Sequence, residues 1–104
     1  MILKVPKHIK LGPYIYQGIF SRHLKHDDGL VGALQLRTEL LKLDPSASHT
    51  AQEVTFLHEG LHGVNNVMAL GLDEDTVDRL AHGLLQFLQD NFGVQFDFGE
   101  WSEE

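Results

Sequence analysis

The sequence predicts an α+β fold in which a small twisted sheet from the first half packs on two helices from the second. Up to residue 45 the apolar residues form short groups separated by Gly, Pro and charged residues, which is typical of strands and turns. Beyond residue 48 they recur at helical spacing. A length of 104 residues fits one domain. The predicted segments are strands and loops over 1–45, helices over 48–70 and 73–91, and a tail over 92–104.

The predicted strands of the first half flank two turn sequences. Apolar residues sit at even spacings around Gly12-Pro13, and the proline argues against one unbroken central strand. These residues are Ile9, Leu11, Ile15 and Ile19. Apolar alternation on both sides of Arg37-Thr38 predicts a hairpin over 32–44, although good helix formers there also permit a short helix. The polar stretch 21–29 is predicted to be a surface loop.

The first helix is predicted to follow Ser48 as N-cap and to stop at Gly71 in the left-handed conformation. It is apolar on two sides, so we expect it to be central in the fold. Gly60 and Gly63 lower its helix propensity by about 1 kcal/mol each, which is explained if a neighbour packs closely on that face. The two apolar stripes are Val54, Leu57, Leu61, Val64 and Met68 on one side, and Phe56, Gly60, Gly63 and Val67 on the other.

The second helix is predicted to begin after Asp73 as N-cap and to end at Asn91-Phe92-Gly93. Its predicted core-facing residues are Val77, Leu80, Ala81, Leu84, Leu85 and Leu88. In the tail, apolar and polar residues alternate over 94–98, which favours either a short edge strand or docked aromatic rings. The last three residues, 102–104, are expected to fray.

The composition excludes several classes of function. With 15 acidic residues against 8 Lys and Arg, the formal charge of -7 repels a nucleic-acid backbone. The absence of cysteine excludes disulfides, thiolate zinc sites, iron–sulfur clusters and a cysteine nucleophile, so a metal would be held by His and carboxylates. No apolar run is long enough for a membrane span and no secretory signal is evident, so we expect a soluble, cytoplasmic protein.

The first helix contains the motif His58-Glu59-Gly60-Leu61-His62. Residues four apart lie one above the other on a helix, so His58 and His62 can converge on one metal ion. Glu59 lies about 100° round the helix, where its carboxylate can take a proton from a water held by the metal. The alternative is that the two histidines only form hydrogen bonds with backbone or carboxylate groups.

The second helix supplies candidates for a third ligand. Glu74 lies about 40° from the centre of the apolar stripe, which predicts an inward-pointing carboxylate that needs a partner. An acidic residue at a helix N-terminus is also common for capping reasons alone. Asp78, one turn further, is placed to accept a hydrogen bond from the far nitrogen of one motif histidine. His82 is an alternative third ligand, although its angle on the helix predicts exposure.

Residues 74–85 resemble the segment that follows His-Glu-x-x-His in the ImmA/IrrE family of metallopeptidases and in small phage and prophage proteins with a gluzincin-like core. In this sequence it reads Glu74-Asp75-Thr76-Val77-Asp78-Arg79-Leu80-Ala81-His82-Gly83-Leu84-Leu85. The resemblance covers roughly residues 48–90. It implies a minimal zincin-like domain in which His58, His62 and Glu74 bind Zn²⁺ and Glu59 activates water.

These observations predict a zinc-dependent metallopeptidase acting on a protein or peptide substrate. The rival prediction is a zinc-stabilised module that binds another protein and cleaves nothing, and a third possibility is a zincin-like domain without metal. Donors to the oxyanion of the hydrolytic transition state are sought among Tyr14, Tyr16, His23 and His26. His8 and His49 are expected at the surface. The oligomeric state is left open.

Overall fold

Two long helices and a mixed sheet make up the part of the chain that the computed structural model describes, residues 1–22, 24 and 31–104. The predicted α+β class is confirmed. The helices are α1 (His49–Met68) and α2 (Glu74–Phe92). The strands are β1 (Ile2–Lys4), β2 (His8–Leu11), β3 (Tyr14–Phe20), β4 (Gly32–Gln35), β5 (Leu40–Leu43), β6 (Gln95–Asp97) and β7 (Ser102–Glu103).

The main sheet has the order β2-β3-β5-β4, and β7 pairs with the end of β3. The pairs β2–β3 and β4–β5 are antiparallel, whereas β3–β5 and β3–β7 are parallel. Helix α1 contacts β2, β4 and β5, and α2 packs against α1. The helix that carries the His-Glu-x-x-His motif is therefore the central layer between the sheet and α2.

The predicted break at Gly12-Pro13 is a two-residue turn, because Leu11 and Tyr14 pair across it. Gly12 has φ +59°, and a Cβ there would lie 2.4 Å from a methyl group of Val67 on α1. Both the left-handed backbone and the close approach of the helix require glycine at this position.

The predicted hairpin over 32–44 is confirmed as β4 and β5, joined by a turn over 36–39. The alternative of a short helix there is wrong. Its helix-forming residues occupy the turn, where Glu39 adopts φ +54°. Pairing with β5 therefore overrides the local helix propensity in this stretch.

Both predicted N-caps are present, but α1 ends earlier than predicted. The Ser48 hydroxyl accepts from the Ala51 N–H at 3.1 Å. The left-handed cap is Ala69, at φ +52°, and not Gly71, so α1 stops at Met68. Gly71 is also left-handed, at φ +70°, but it lies in the link to α2.

The close contact expected at the two motif-helix glycines is found at one of them. A Cβ on Gly63 would lie 2.4 Å from Leu11 Cδ1, so β2 packs directly on α1 at this point. Around Gly60 no described atom lies within 4 Å of the Cβ position, so that part of the expectation is wrong.

The apolar stripes are wider than the surface that the described part of the fold covers. Val77, Ala81 and Leu85 are buried as predicted, whereas the predicted core residues Leu80 and Leu84 are exposed. On α1, the stripe residues Val64 and Met68 are exposed too. The reason is geometric: α2 packs on α1 along one flank, and no described element covers the other flank.

The tail is part of the core. Phe96, Phe98 and Trp101 are buried, and the indole N–H of Trp101 donates to the Pro6 carbonyl at 3.0 Å. Strand β6 pairs with β1 in a separate two-stranded sheet and does not extend the main sheet. The expectation that residues 102–104 fray is wrong, because Ser102 and Glu103 pair with β3.

Within the described residues, no helix combines the length and the apolar character needed to cross a membrane.

Candidate metal centre

Three side chains from α1 and from the first turn of α2 point their ligand atoms at one another. The Nε2 atoms of His58 and His62 are 3.0 Å apart. The two carboxylate oxygens of Glu74 lie 2.7 Å from His58 Nε2 and 2.6 Å from His62 Nε2. One nitrogen from each imidazole and one carboxylate oxygen thus form a cluster within 4.8 Å. The structure therefore brings together the two predicted histidines and the predicted third residue.

The proton of the His58 ring is positioned by Asp78. Oδ1 of Asp78 lies 3.1 Å from His58 Nδ1. A carboxylate only accepts hydrogen bonds, so Nδ1 donates in this contact, and in a neutral ring Nε2 then keeps its lone pair. This is the tautomer in which Nε2 can bind a metal ion.

The link between the helices is fixed by a side chain that the sequence analysis did not select. The amide of Asn65 donates to the Leu72 carbonyl and accepts from the Leu72 N–H, both at 3.0 Å. Asp73 then caps α2 by accepting from the Thr76 N–H at 2.8 Å. Hydrogen bonding to the side chain and the backbone N–H of Thr76 lowers the pKa of Asp73. Together the contacts of Asn65 and Asp73 place the first turn of α2, and with it Glu74, beside the motif histidines.

The predicted burial of Glu74 is wrong, since its side chain is 69% exposed. It lies at the very start of α2, where the helix projects beyond the packed core, and its carboxylate reaches across to α1. Burial therefore does not hold this carboxylate in place. Its contacts with the two imidazoles do.

Glu59 lies beside this cluster, on the wall of a small cleft. The cleft has a volume of about 230 Å³ and is lined by Val31, Gly32, Thr55, His58, Glu59 and Glu74. Burial raises the pKa of the Glu59 carboxyl. The neighbouring imidazoles and a hydrogen bond from the Leu34 N–H act in the opposite direction on that pKa.

The same cleft borders the edge of β4 with which no described strand pairs. The Asp44 N–H bonds the Val31 carbonyl at 2.8 Å, so the backbone groups of Val31 point toward β5. Backbone groups alternate in direction along an antiparallel strand, so those of Gly32 and Leu34 point away from β5. The hydrogen bond from Leu34 N–H to Glu59 agrees with this direction.

The donor set fits a zinc ion. Zn²⁺ takes imidazole nitrogen and carboxylate oxygen at about 2.0–2.2 Å, and ligand atoms of a tetrahedral site then lie about 3.3 Å apart. The observed separations of 2.6 to 3.0 Å are shorter than that and lie in the range of hydrogen bonds, so the side chains would spread apart to admit the ion. Three protein ligands leave one tetrahedral position open, as in catalytic zinc sites.

The remaining predicted residues lie outside the cluster. His82 is exposed and donates from Nδ1 to the Asp78 carbonyl at 2.9 Å, so it is not the third member. Tyr16 belongs to the buried core, and Tyr14 is half-buried against its ring. His8 and His49 are at the surface as expected. His23 and His26 lie outside the described residues.

Glu53, which was not predicted from the sequence, is a buried carboxylate that positions α1. It accepts from the Phe96 N–H at 2.8 Å and from the Gln89 amide at 3.2 Å, and His49 Nε2 lies 3.5 Å away. It therefore ties α1 to α2 and β6. Its spacing gave a signal, since position 53 continues the second apolar stripe of α1 by one turn.

Comparison with known proteins leaves the site to be interpreted from its geometry, because no protein-family model, no curated protein and no solved structure matches this chain.

Proposed function

We propose that this protein is a zinc-dependent peptide hydrolase with His58, His62 and Glu74 as zinc ligands and Glu59 as general base. The observation that carries the proposal is the convergence of atoms with free lone pairs. Two imidazole nitrogens and a carboxylate repel one another when they meet at 2.6 to 3.0 Å, unless protons or a cation lie among them. The Asp78 carboxylate favours the cation, because it holds the proton of His58 on the far nitrogen.

The chemistry divides between the ion and Glu59. Zinc bound by these side chains supplies a Lewis acid that lowers the pKa of water and polarises a carbonyl group. Glu59 lines the cleft beside the ligands, so its carboxylate lies where a water proton can be accepted. The same carboxyl then passes that proton to the nitrogen of the leaving amine, which restores the base.

The edge of β4 with which no described strand pairs favours a peptide as substrate. An extended peptide can add to an exposed strand by backbone hydrogen bonds, whatever its side chains. Gly32 offers outward-pointing backbone groups on the wall of the cleft that also holds His58 and Glu59. A peptide paired with β4 would therefore present its backbone carbonyls to the ligand cluster.

The substitution Glu59→Gln tests this function. It keeps the size of the side chain and removes the base, so we expect zinc content to stay unchanged while turnover falls by about 100-fold or more. The readout is cleavage of a library of unstructured fluorogenic peptides by the zinc-loaded protein, beside elemental analysis of both variants.

Glu100→Gln is the matched control, because Glu100 is an exposed carboxylate away from the cluster. It should leave both zinc content and turnover unchanged. Full peptide cleavage by Glu59→Gln would contradict the proposed role of Glu59.

A second candidate is a zinc-stabilised module that binds a partner protein without cleaving it. The small volume of the cleft, about 230 Å³, favours this candidate, since it accommodates few substrate side chains. For this candidate we expect the same zinc binding by His58, His62 and Glu74. Neither the native protein nor Glu59→Gln would then cleave any peptide of the library.

A further inference from the structure

One face of α2 exposes large apolar side chains that no described element covers. We define the outer face of α2 as Leu80, Gly83, Leu84 and Phe87. Leu80 is 46% exposed, Leu84 38% and Phe87 56%. Between Arg79 and Asp90 the helix carries no Asp, Glu, Lys or Arg, although 22% of the whole chain is charged. Such a patch marks an interaction surface.

The shape of this face combines a projection and a recess. Next to Gly83, a groove of about 500 Å³ runs between α2 and Leu61 of α1. No described atom lies within 4 Å of the position that a Cβ on Gly83 would take. One turn further along, the Phe87 ring projects into solvent. The same surface thus carries the projecting Phe87 ring and a groove beside Gly83 that could receive such a ring from another molecule.

The charged residues that flank the outer face of α2 have opposite signs and can pair with those of a second copy. Arg79 and Asp90 lie about 20° apart when viewed down the helix, so they border the same side of the outer face. Arg79 is five residues before Leu84, and Asp90 is six after it. When two such helices pack antiparallel with Leu84 at the centre, each Arg79 therefore meets the Asp90 of the other copy.

We propose that the outer face of α2 is a homodimer interface, in which α2 pairs antiparallel with α2 of a second copy about a two-fold axis near Leu84. In this register each Phe87 lies over Gly83 of the other copy, and two symmetric Arg79–Asp90 pairs close one side. Among the described residues Arg79 forms an exposed ion pair with Asp75, at 3.1 Å, and its guanidinium can bridge both acids. An isologous interface of this kind is the commonest form of self-association.

The dimer leaves the candidate metal centre open. Glu74 and Asp78 project from α2 about 120° to 160° away from Leu80 around the helix, toward α1. The inference is therefore independent of the proposed hydrolase function. It holds for either candidate function, and it is tested without any measurement of activity.

Sedimentation velocity of the full chain over a range of concentrations tests the proposal. We expect a reversible dimer with a dissociation constant in the micromolar range. Leu84→Glu brings two carboxylates together at the axis and should give a monomer at all concentrations with an unchanged far-UV circular dichroism spectrum. Ile15→Glu alters an apolar residue on β3 that is 51% exposed and should remain dimeric.

A charge exchange tests the antiparallel register. Arg79→Glu alone places a glutamate opposite Asp90 at both symmetric positions of the dimer. It should raise the dissociation constant of the dimer roughly tenfold at low salt. The double variant Arg79→Glu/Asp90→Arg should restore dimerisation. A monomeric wild type, or a dimer that survives Leu84→Glu, would overturn the proposal and leave the face to a different partner. Failure of the double variant to restore the dimer would overturn this register.

Discussion

At the scale of single residues, the candidate metal centre depends on where one proton sits. Asp78 bonds Nδ1 of His58 and so leaves Nε2 free toward His62 and Glu74. The helical spacing predicted this contact, because Asp78 lies one turn after Glu74 on the same side of α2. In the proposed metal centre Asp78 would therefore act on the metal through His58, without binding the metal itself.

Replacing Asp78 by Ala should weaken zinc binding by about 10- to 100-fold, because His58 loses the partner that selects its tautomer and its orientation. Isothermal titration with zinc measures the change. Asp75→Ala is the matched control, since Asp75 is an exposed acid in the same turn that forms an ion pair with Arg79. Equal zinc affinity in the Asp78 and Asp75 variants would mean that Asp78 does not orient His58.

At the scale of the elements, the tail packs on the main sheet at Gly18 of β3. The Trp101 ring covers Gly18 of β3, and a Cβ there would lie 2.2 Å from its Cε2 atom. The ring is buried and its indole N–H is bonded to Pro6, so it cannot move aside easily. Strand β7 begins directly after this contact and pairs with β3.

Gly18→Ala should therefore lower the free energy of unfolding by about 1–3 kcal/mol, through overpacking against Trp101. Urea unfolding monitored by tryptophan fluorescence measures it. Gly60→Ala serves as control, because no described atom lies near its Cβ position and helix propensity should raise stability by up to about 1 kcal/mol. A Gly18→Ala protein as stable as wild type would show that the tail does not pack on β3.

The elements that the sequence predicted correctly are those specified by local patterns. Periodicity located both helices and the β4–β5 hairpin, and Ser48 and Asp73 identified the helix starts. The pairing of β7 with β3 joins residues more than 80 positions apart, which no local pattern reports. The exposure of Leu80 and Leu84 was missed because a stripe shows where a helix is apolar, but not what covers it.

At the scale of the whole molecule, a bound zinc ion would connect α1 to the start of α2. His58 and His62 belong to one helix and Glu74 to the other, so the ion would add a bridge to the hydrogen bonds His58–Asp78 and Gln89–Glu53 that already join the two helices. A ligand that binds only the folded chain stabilises it, by about 2.7 kcal/mol at a free concentration 100 times its dissociation constant.

The candidate site was predicted from spacing more completely than the fold around it. The pair His58 and His62 was predicted because residues four apart share one face of a helix. Glu74 was predicted as the third ligand, from the next helix. The predicted reason for Glu74 was wrong, since the carboxylate is exposed. Its position depends on the turn between the helices, which the hydrogen bonds of Asn65 fix and the sequence pattern does not reveal.

The most direct test of the central claim is a zinc titration of the metal-free protein beside Glu74→Gln, with Glu100→Gln as control. The proposed centre predicts one zinc ion per chain in the wild type and in Glu100→Gln, and a strong loss of affinity in Glu74→Gln. A wild type that takes up no zinc, or a Glu74→Gln variant that binds it as tightly as the wild type, would contradict the account.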